Sequence, residues 1–284
     1  MTQPRAWVTG AGGLLGSAFV RTAAALAPHW EVRGLERGAL DLTDGPAVQQ
    51  WFARDRPAAV IHCAAMSKSP ACAQHPERAR LVNVEATARL AGLAAEIPFV
   101  FFSTDLVFDG RAGNYSETDA VNPLTVYAET KVQAENGVRE NSRHLIIRTS
   151  LNGGVSPTGD RGFNEELRRA WAAGRTTTLF TDEFRSPIAA VVTVRAVWAL
   201  LAAGATGVFH VAGSERLSRW QIGQLLAVRC TEWQPRLEAG TLRDYSGPPR
   251  APDTSLNGAK AQRLLPFPLP GFTEWLRENP GEPF

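Results

Sequence analysis

The stretch Thr9-Gly10-Ala11-Gly12-Gly13-Leu14-Leu15-Gly16 is the strongest indication of fold in this chain. It follows an apolar run at residues 6–9 and precedes a helix predicted over residues 13–26. Gly10, Gly13 and Gly16 form the pattern GxxGxxG, which permits a tight turn, admits a pyrophosphate to the backbone and lets the helix pack on the strand. The start of that helix, with Leu14 and Leu15, offers free N–H groups and a positive dipole end. An ordinary turn is the alternative, but the strand-turn-helix context favours a dinucleotide site.

Strand-like and helix-like segments alternate through the first half of the chain. The predicted strands are residues 6–9, 31–35, 58–62, 98–102 and 144–148, and the predicted helices are residues 13–26, 44–52, 76–95 and 123–141. Repeated β-α-β units with continuously apolar strands are typical of a parallel sheet with right-handed crossovers and helices on both faces. We therefore predict an α/β fold with a Rossmann-type, doubly wound parallel sheet.

After about residue 150 the regular alternation of strands and helices ends, and long irregular stretches separate the predicted elements. Helices are predicted at residues 162–173, 193–203, 218–228 and 272–278, and short strands at 177–180 and 208–211. With 284 residues the chain is long enough for roughly two domains. We predict a cofactor-binding Rossmann domain over residues 1–150 and a smaller α/β substrate-binding lobe over residues 151–284, interleaved with the first and roofing its crevice.

Composition excludes several classes of protein. Apolar residues make up 44% and charged residues 20%, as in a globular protein, and the formal net charge of +2 gives no reason to expect a nucleic-acid or membrane-surface partner. Cys63, Cys72 and Cys230 form no CxxC pair, which argues against a disulfide framework or a metal site. Without a long apolar run, and with the N-terminus leading straight into a strand, we expect a cytoplasmic protein that does not cross a membrane.

The end of the second predicted strand carries the residues that would choose the cofactor. Glu36 and Arg37 lie about twenty residues beyond Gly16. An acidic side chain there can hold the ribose 2′-hydroxyl of NAD, whereas an arginine can pair with the 2′-phosphate of NADP. The sequence has both an acidic residue and an arginine there, so it does not decide between NAD and NADP as the cofactor. Asp41 and Leu42 could close over the adenine, with a plain turn as the alternative.

Tyr127 and Lys131 lie four residues apart on a predicted helix, and therefore on one face. A tyrosine hydroxyl is a poor acid or base at neutral pH, but a nearby ammonium group favours the phenolate and lowers its pKa. Lys131 could also hydrogen-bond the nicotinamide ribose. Thr104 ends the fourth predicted strand, where a hydroxyl points into the ligand crevice, and it could hydrogen-bond a substrate carbonyl while Tyr127 protonates it. Ser103 is the alternative for that role.

Three motifs together resemble the extended short-chain dehydrogenase/reductases, and most closely their dTDP-4-dehydrorhamnose reductase branch. They are Gly10-x-x-Gly13-x-x-Gly16, Tyr127-x-x-x-Lys131 and Ser103-Thr104-Asp105-Leu106-Val107-Phe108-Asp109-Gly110. The likeness is strong to about residue 150 and fainter beyond it. Supporting segments include Leu40-Asp41-Leu42-Thr43-Asp44, His62-Cys63-Ala64-Ala65, Val82-Asn83-Val84, Ser186-Pro187-Ile188 and Arg250-Ala251-Pro252.

The resemblance implies a nicotinamide cofactor, NAD or NADP, and a nucleotide-sugar substrate. Thr104, Tyr127 and Lys131 would be the catalytic residues. Cys63, Ala64, Ala65 and Asn83 would lie along the cofactor or the floor of the site. The sequence departs from the branch at Leu14, where glutamine is usual, at Leu151-Asn152, where an aromatic residue is common, and in residues 66–72.

Further candidates for substrate contacts come from the loops. Arg185 and Arg250 could each clamp a diphosphate through a bidentate guanidinium, with a structurally paired or exposed arginine as the alternative. The other candidates are Met66, Ser67, Asn152 and Asn164.

The sequence therefore predicts an enzyme that reduces a keto group of a nucleotide sugar or a similar carbonyl compound, with the proton coming from Tyr127. One alternative is a nucleotide-sugar epimerase or dehydratase on the same scaffold. Another is a non-catalytic NAD(P)-binding regulatory subunit resembling that of methionine adenosyltransferase. A homodimer is an open possibility that the sequence does not decide.

Overall fold

The computed structural model describes residues 3–282 and 284. The strands within them are β1 (Arg5–Thr9), β2 (Glu31–Leu35), β3 (Ala59–His62), β4 (Phe99–Thr104), β5 (Leu145–Thr149), β6 (Asn152–Gly153), β7 (Thr177–Phe180), β8 (Phe184–Arg185), β9 (Ile188–Ala189), β10 (Gly207–Val211), β11 (Leu217–Ser218) and β12 (Leu237–Gly240). The α-helices are α1 (Leu14–Leu26), α2 (Gly45–Asp55), α3 (Ser69–Gln74), α4 (Pro76–Arg80), α5 (Ala86–Leu93), α6 (Val126–Arg139), α7 (Phe163–Ala172), α8 (Ala190–Ala202), α9 (Arg219–Arg229), α10 (Ala259–Gln262) and α11 (Phe272–Glu278).

Six parallel strands in this described part form the central sheet, in the order β2-β1-β3-β4-β5-β10. The direction of winding reverses between β1 and β3. In such a sheet the crevice at the carboxyl ends of the strands opens at this reversal. The arrangement confirms the predicted α/β, doubly wound parallel sheet.

Helices cover both faces of the sheet and enclose two apolar cores. One core lies beneath α1 and α8, where the rings of Phe19 and Trp198 pack edge to face at a centroid distance of 5.7 Å. The opposite core contains Trp7, Leu90 and Phe101, all fully buried. Burying one large apolar side chain contributes about 1.5–3 kcal/mol, so these two layers hold the carboxyl edge of the sheet in place.

The second half of the chain contributes to two regions. Its two-stranded pairs β6–β9, β7–β12 and β8–β11 lie with a third core around Trp171, Phe272 and Trp275. In contrast, α8 packs on α1, and β10 pairs with β5 at the edge of the central sheet. The predicted strand at 208–211 is therefore part of the large sheet. The division of the chain near residue 150 stays a prediction.

One long predicted helix, residues 76–95, is built differently. A short α4 leads into a π-helical turn at Leu81–Glu85, and α5 follows it directly. A π-helical turn inserts an extra residue into the helical ladder and often marks a functional site. Among the described residues, no helix has the length and apolarity needed to cross a membrane.

Candidate active site

A crevice of about 950 Å³ opens at the carboxyl ends of the central strands. It brings together most of the residues that the sequence predicts for the site. Those that line it are Gly10, Gly13, Leu14, Leu15, Gly16, Glu36, Arg37, Asp41, Leu42, Cys63, Ala64, Ala65, Met66, Ser67, Thr104, Tyr127, Lys131 and Asn152.

The glycine turn is shaped by close contacts that side chains would break. Gly10 has a φ of +69°, and a Cβ placed there would lie 2.7 Å from the backbone nitrogen of Ala64. A Cβ on Gly16 would collide with the carbonyl oxygen of Gly10. Above Gly12 the space is open, since a Cβ there would first meet Glu36 at 3.9 Å. Bare backbone therefore faces the crevice, as a bound pyrophosphate requires.

The start of α1 supplies the matching electrostatics. Gly13 caps this 13-residue helix without a side-chain hydrogen bond, so the first-turn N–H groups at Leu14 and Leu15 are not capped by a side chain. Their dipoles place a partial positive charge at the crevice wall. The residues present thus fit a dinucleotide cofactor, with its phosphates at this turn.

Acidic and basic side chains share the end of the crevice beyond β2. The carboxylate of Asp41 accepts hydrogen bonds from the backbone and hydroxyl of Thr43, and these bonds lower its pKa. The guanidinium groups of Arg37 and Arg78 approach the same carboxylate at 3.7 and 3.9 Å. Glu36 lies across from the glycine turn. This mixture of charges is compatible with either a ribose hydroxyl or a 2′-phosphate.

Lys131 lies beneath the crevice on α6, with its ammonium nitrogen 4.1 Å from the ring centre of Phe101. Burial lowers the pKa of this group to about 7, although the carboxylate of Glu135 opposes the change. Burial also raises the pKa of the Cys63 thiol, which stays neutral.

Tyr127 stands one helical turn before Lys131 and beside Thr104 at the end of β4. Burial raises the pKa of its phenol, and the carboxylate of Asp105 raises it further, while hydrogen bonding with Thr104 lowers it. The expectation of a lowered phenol pKa is therefore reversed in the protein without cofactor. The reason is physical: burial and the carboxylate of Asp105 both disfavour the phenolate, and together they outweigh the hydrogen bond with Thr104 and the charge of Arg185.

Asn83 lies next to the crevice but does not line it. It is 1% exposed on the π-helical turn, and its amide makes two hydrogen bonds to the backbone of Met66, at 2.8 and 3.0 Å. The same amide donates to the hydroxyl of Thr130, which in turn donates to the carbonyl of Tyr127. The structure thus places Asn83 between two walls of the site, where it holds them together.

Three further predicted residues lie away from the crevice surface because protein groups engage their side chains. The amide of Asn164 donates to the carbonyl of Gly154. Arg185 is buried and forms a bidentate pair with Asp105, with both bonds at 2.6 Å. Arg250 binds the carboxylate of Glu183, also through two bonds.

Several lining residues were missing from the sequence prediction. They come from segments that lie far apart in the sequence: Gly12, Gly38, Thr43, Arg78, Val82, Phe102, Thr149, Ser150, Pro157, Thr158, Gly162 and Phe163. Of these, Gly12 belongs to the glycine turn and was the one most open to prediction.

The relatives of the chain include reductases. The model of the RmlD substrate binding domain matches residues 5–279. A probable low-salt glycan biosynthesis reductase of Haloferax volcanii is 34% identical over 264 residues, which cover 88% of each chain. Methionine adenosyltransferase 2 subunit beta of Bos taurus is 28% identical over 237 residues, covering 78% of this chain and 71% of the relative.

A solved structure shares the fold of this chain. The dTDP-4-dehydrorhamnose reductase of Bacillus anthracis, solved in complex with NADP, matches with a TM-score of 0.88 over 98% of each chain. At 21% identity this likeness shows a shared fold. The family match spans all the strands and helices that build the crevice. The chain therefore belongs to the RmlD substrate-binding domain family, within the extended short-chain dehydrogenase/reductases.

Proposed function

We propose that this protein uses NADH or NADPH to reduce a keto group of a nucleotide sugar or a similar carbonyl compound. One observation carries the proposal. Thr104, Tyr127 and Lys131 lie in the same crevice as the glycine turn, which suits a dinucleotide. A bound nicotinamide cofactor supplies the hydride, and the 34% identical reductase of Haloferax volcanii supports that direction of reaction.

The side chains of the site handle the proton. A phenol whose pKa is raised above its ordinary value stays protonated at neutral pH, and the protonated phenol is the form that can donate to a developing alkoxide. Lys131, one turn later on α6, would hold the ribose of a bound cofactor. This contact would favour the positively charged form of Lys131. Thr104 lines the same crevice and interacts with the phenol of Tyr127. Together these groups support proton donation in the reductive direction.

The direct test measures consumption of NADH and NADPH with a panel of 4-keto nucleotide sugars. We expect Tyr127→Phe to lower kcat by at least about 100-fold, since a general acid contributes about 10²–10⁴ in rate. Cofactor affinity, measured by calorimetry, should stay within a few-fold. Tyr245→Phe is the matched control, because that tyrosine is exposed and does not line the crevice. Full activity in the Tyr127 variant would overturn the proposal.

A second function is favoured by the likeness to methionine adenosyltransferase 2 subunit beta. On that proposal the chain binds a dinucleotide and acts as a subunit of another enzyme. Two measurements distinguish the subunit function from the reductase function. They are size-exclusion chromatography with light scattering and mass spectrometry of material purified from the native cell. A stoichiometric partner enzyme with no turnover of any nucleotide sugar would support the subunit role. Turnover by the isolated chain would exclude it as the sole function.

A further inference from the structure

The loop between β6 and α7, residues 154–162, forms one wall of the crevice and has no part in the proposed transfer of hydride and proton. Its members that line the crevice are Pro157, Thr158, Arg161 and Gly162. The loop also lies against the start of α1, since a Cβ on Gly162 would be 3.4 Å from Cδ2 of Leu14. It therefore borders the glycine turn, where the phosphates of a dinucleotide are expected.

A buried carboxylate holds this loop in shape. Glu165, in the first turn of α7, is 4% exposed. Its carboxylate accepts hydrogen bonds from the backbone N–H groups of Ser156, Arg161 and Gly162, at 2.6, 2.8 and 2.9 Å. The hydroxyl of Ser156 donates to the same carboxylate at 2.8 Å. Because the backbone of Arg161 is fixed in this way, less entropy is lost when its side chain binds a ligand.

The side chain of Arg161 is half-exposed, and most of its donors are free. Its Nε donates to the hydroxyl of Thr158 at 3.1 Å and lies 3.2 Å from a carboxylate oxygen of Asp160. Among the hydrogen bonds between described residues, this guanidinium donates through Nε alone. The two terminal nitrogens carry four N–H groups, which are left for an anion that enters the crevice.

The charges beside Arg161 also favour an anion. Asp160 is shared by Arg161 and by Arg169 of α7, whose Nη1 lies 3.7 Å from the carboxylate. The three groups therefore sum to one positive charge. Exposed ion pairs of this kind contribute little stability. Arg161 can thus turn to a phosphate at little cost, while Arg169 stays beside Asp160.

The other cationic groups leave this role to Arg161. Within the described part of the chain, the cationic side chains that line the crevice are Arg37, Arg78, Lys131 and Arg161. The first two lie with Asp41 beyond β2, at the end expected to hold the adenosine, and Lys131 lies one turn from the proposed proton donor. Arg185 and Arg250, which the sequence suggested as diphosphate clamps, are bound by carboxylates of the protein itself.

We propose that Arg161 binds the diphosphate of a ligand in the crevice. The proposal rests on the proposed function, which brings two groups of this chemistry to the site. They are the pyrophosphate of NADH or NADPH and the diphosphate of a nucleotide sugar. A planar guanidinium can bind either one through two parallel N–H bonds to phosphate oxygens. Glu165 is the positioning residue that holds the loop for this contact.

Isothermal titration calorimetry of Arg161→Gln tests the proposal in two arms. The first arm measures the affinity of the cofactor-free protein for NADPH. The second arm measures the affinity of the protein saturated with NADP⁺ for dTDP and for UDP. We expect a loss of at least about tenfold in one arm or in both, because hydrogen bonds between charged groups are stronger than those between neutral ones.

Two further variants serve as controls. Arg169→Gln removes the same charge from the other partner of Asp160 at a residue that does not line the crevice. It should leave the affinities in both arms within about threefold of the wild type, as expected for an exposed ion pair. Arg161→Lys keeps the charge but loses the bidentate geometry, so its affinity should lie between those of the wild type and Arg161→Gln.

The two arms identify the source of the diphosphate. A loss in the first arm assigns the contact to the cofactor, and a loss in the second assigns it to the nucleotide sugar. Wild-type affinity of Arg161→Gln in both arms, or an equal loss in Arg169→Gln, would overturn the proposal. A protein that binds a diphosphate through Arg161 but reduces no keto sugar would contradict the reductase function and leave this role standing. A wild type that binds none of these ligands would contradict both.

Discussion

The ammonium group of Lys131 is buried against the ring of Phe101, and this burial determines how the residue responds to pH. Its pKa in the folded protein is about 7, compared with an ordinary value of 10.5. Between these two values the unfolded chain binds a proton that the folded protein does not. Stability therefore rises with pH across this interval.

Replacing Lys131 with methionine should remove that dependence on pH. We expect the thermal midpoint of the cofactor-free wild type to increase relative to that of Lys131→Met as the pH rises from 7 to about 10. Calorimetry measures both midpoints. The comparison between the two proteins cancels the contributions of other titrating groups. Parallel curves for the two proteins would show that Lys131 stays charged when buried.

Tyr127 and Lys131 were predicted from their spacing, because residues four positions apart on a helix share a face. Thr104 was predicted from its place at the end of a strand. The direction of the Tyr127 pKa shift was not predictable in this way. It depends on Asp105 and on the depth of burial, and both are set by packing between segments distant in sequence. Local patterns identify the residues, whereas the surroundings determine their chemistry.

The turn between β1 and α1 is the element on which cofactor binding depends. A methyl group on Gly16 would meet the carbonyl of Gly10 within the turn itself. We expect Gly16→Ala to displace that carbonyl, to weaken NADPH binding at least tenfold and to cost about 1–3 kcal/mol of stability. Calorimetric titration and chemical unfolding measure the two effects.

Gly137→Ala provides the matched control on another helix. Gly137 is exposed on α6, and a Cβ there would meet nothing within 4 Å. The substitution should stabilise the protein by about 0.5–1 kcal/mol, because alanine loses less backbone freedom on folding, and should leave cofactor affinity unchanged. If the two variants behaved alike, the steric explanation of the glycine turn would be wrong.

The strands of the first half were predictable to within about two residues, because both faces of a central parallel strand are buried and its sequence is continuously apolar. Residues 98–102 were predicted, and β4 runs from Phe99 to Thr104. The helix at 76–95 was predicted as one piece. Its π-helical turn carries no pattern of its own, since the turn is held by the bonds of Asn83 to Met66 and Thr130.

A buried network of charges joins distant segments within the second half of the chain. Glu183 lies at its centre, 2% exposed, with Arg219 at 3.0 Å and Arg250 at 2.6 Å. The nearby guanidinium groups lower the pKa of Glu183 from 4.5 to about 2 despite its burial. Its charge therefore contributes stability above pH 4.5, and this contribution is lost as the pH falls toward 2.

We expect Glu183→Gln to destabilise the protein by about 3 kcal/mol at pH 7, since it leaves buried guanidinium groups without their partner. The difference in unfolding free energy from the wild type should shrink as the pH falls from 4.5 toward 2. Urea unfolding at several pH values measures both. A constant difference across that range would mean that the charge of Glu183 plays no part in its contribution.

Contacts between segments that are distant in sequence explain why the positions of residues from the second half of the chain were not predicted correctly. Arg185 and Asp105 are 80 positions apart, and nothing in either local sequence indicates that they pair. Arg185 alone is equally compatible with an anion site or an internal ion pair. Similarly, the sequence of β10 predicts only a short strand. Its pairing with β5 in the structure shows that it belongs to the central sheet.

We propose that a nicotinamide cofactor bound in this crevice transfers a hydride to a keto sugar while Tyr127 supplies the proton. It is tested most directly with NADPH carrying deuterium at the transferable position and a 4-keto nucleotide sugar, followed by mass spectrometry of the product. We predict one deuterium on the former carbonyl carbon and one equivalent of oxidised cofactor per product, with both lost in Tyr127→Phe. A product without deuterium, formed with no net oxidation of cofactor, would contradict the claim and indicate epimerisation or dehydration instead.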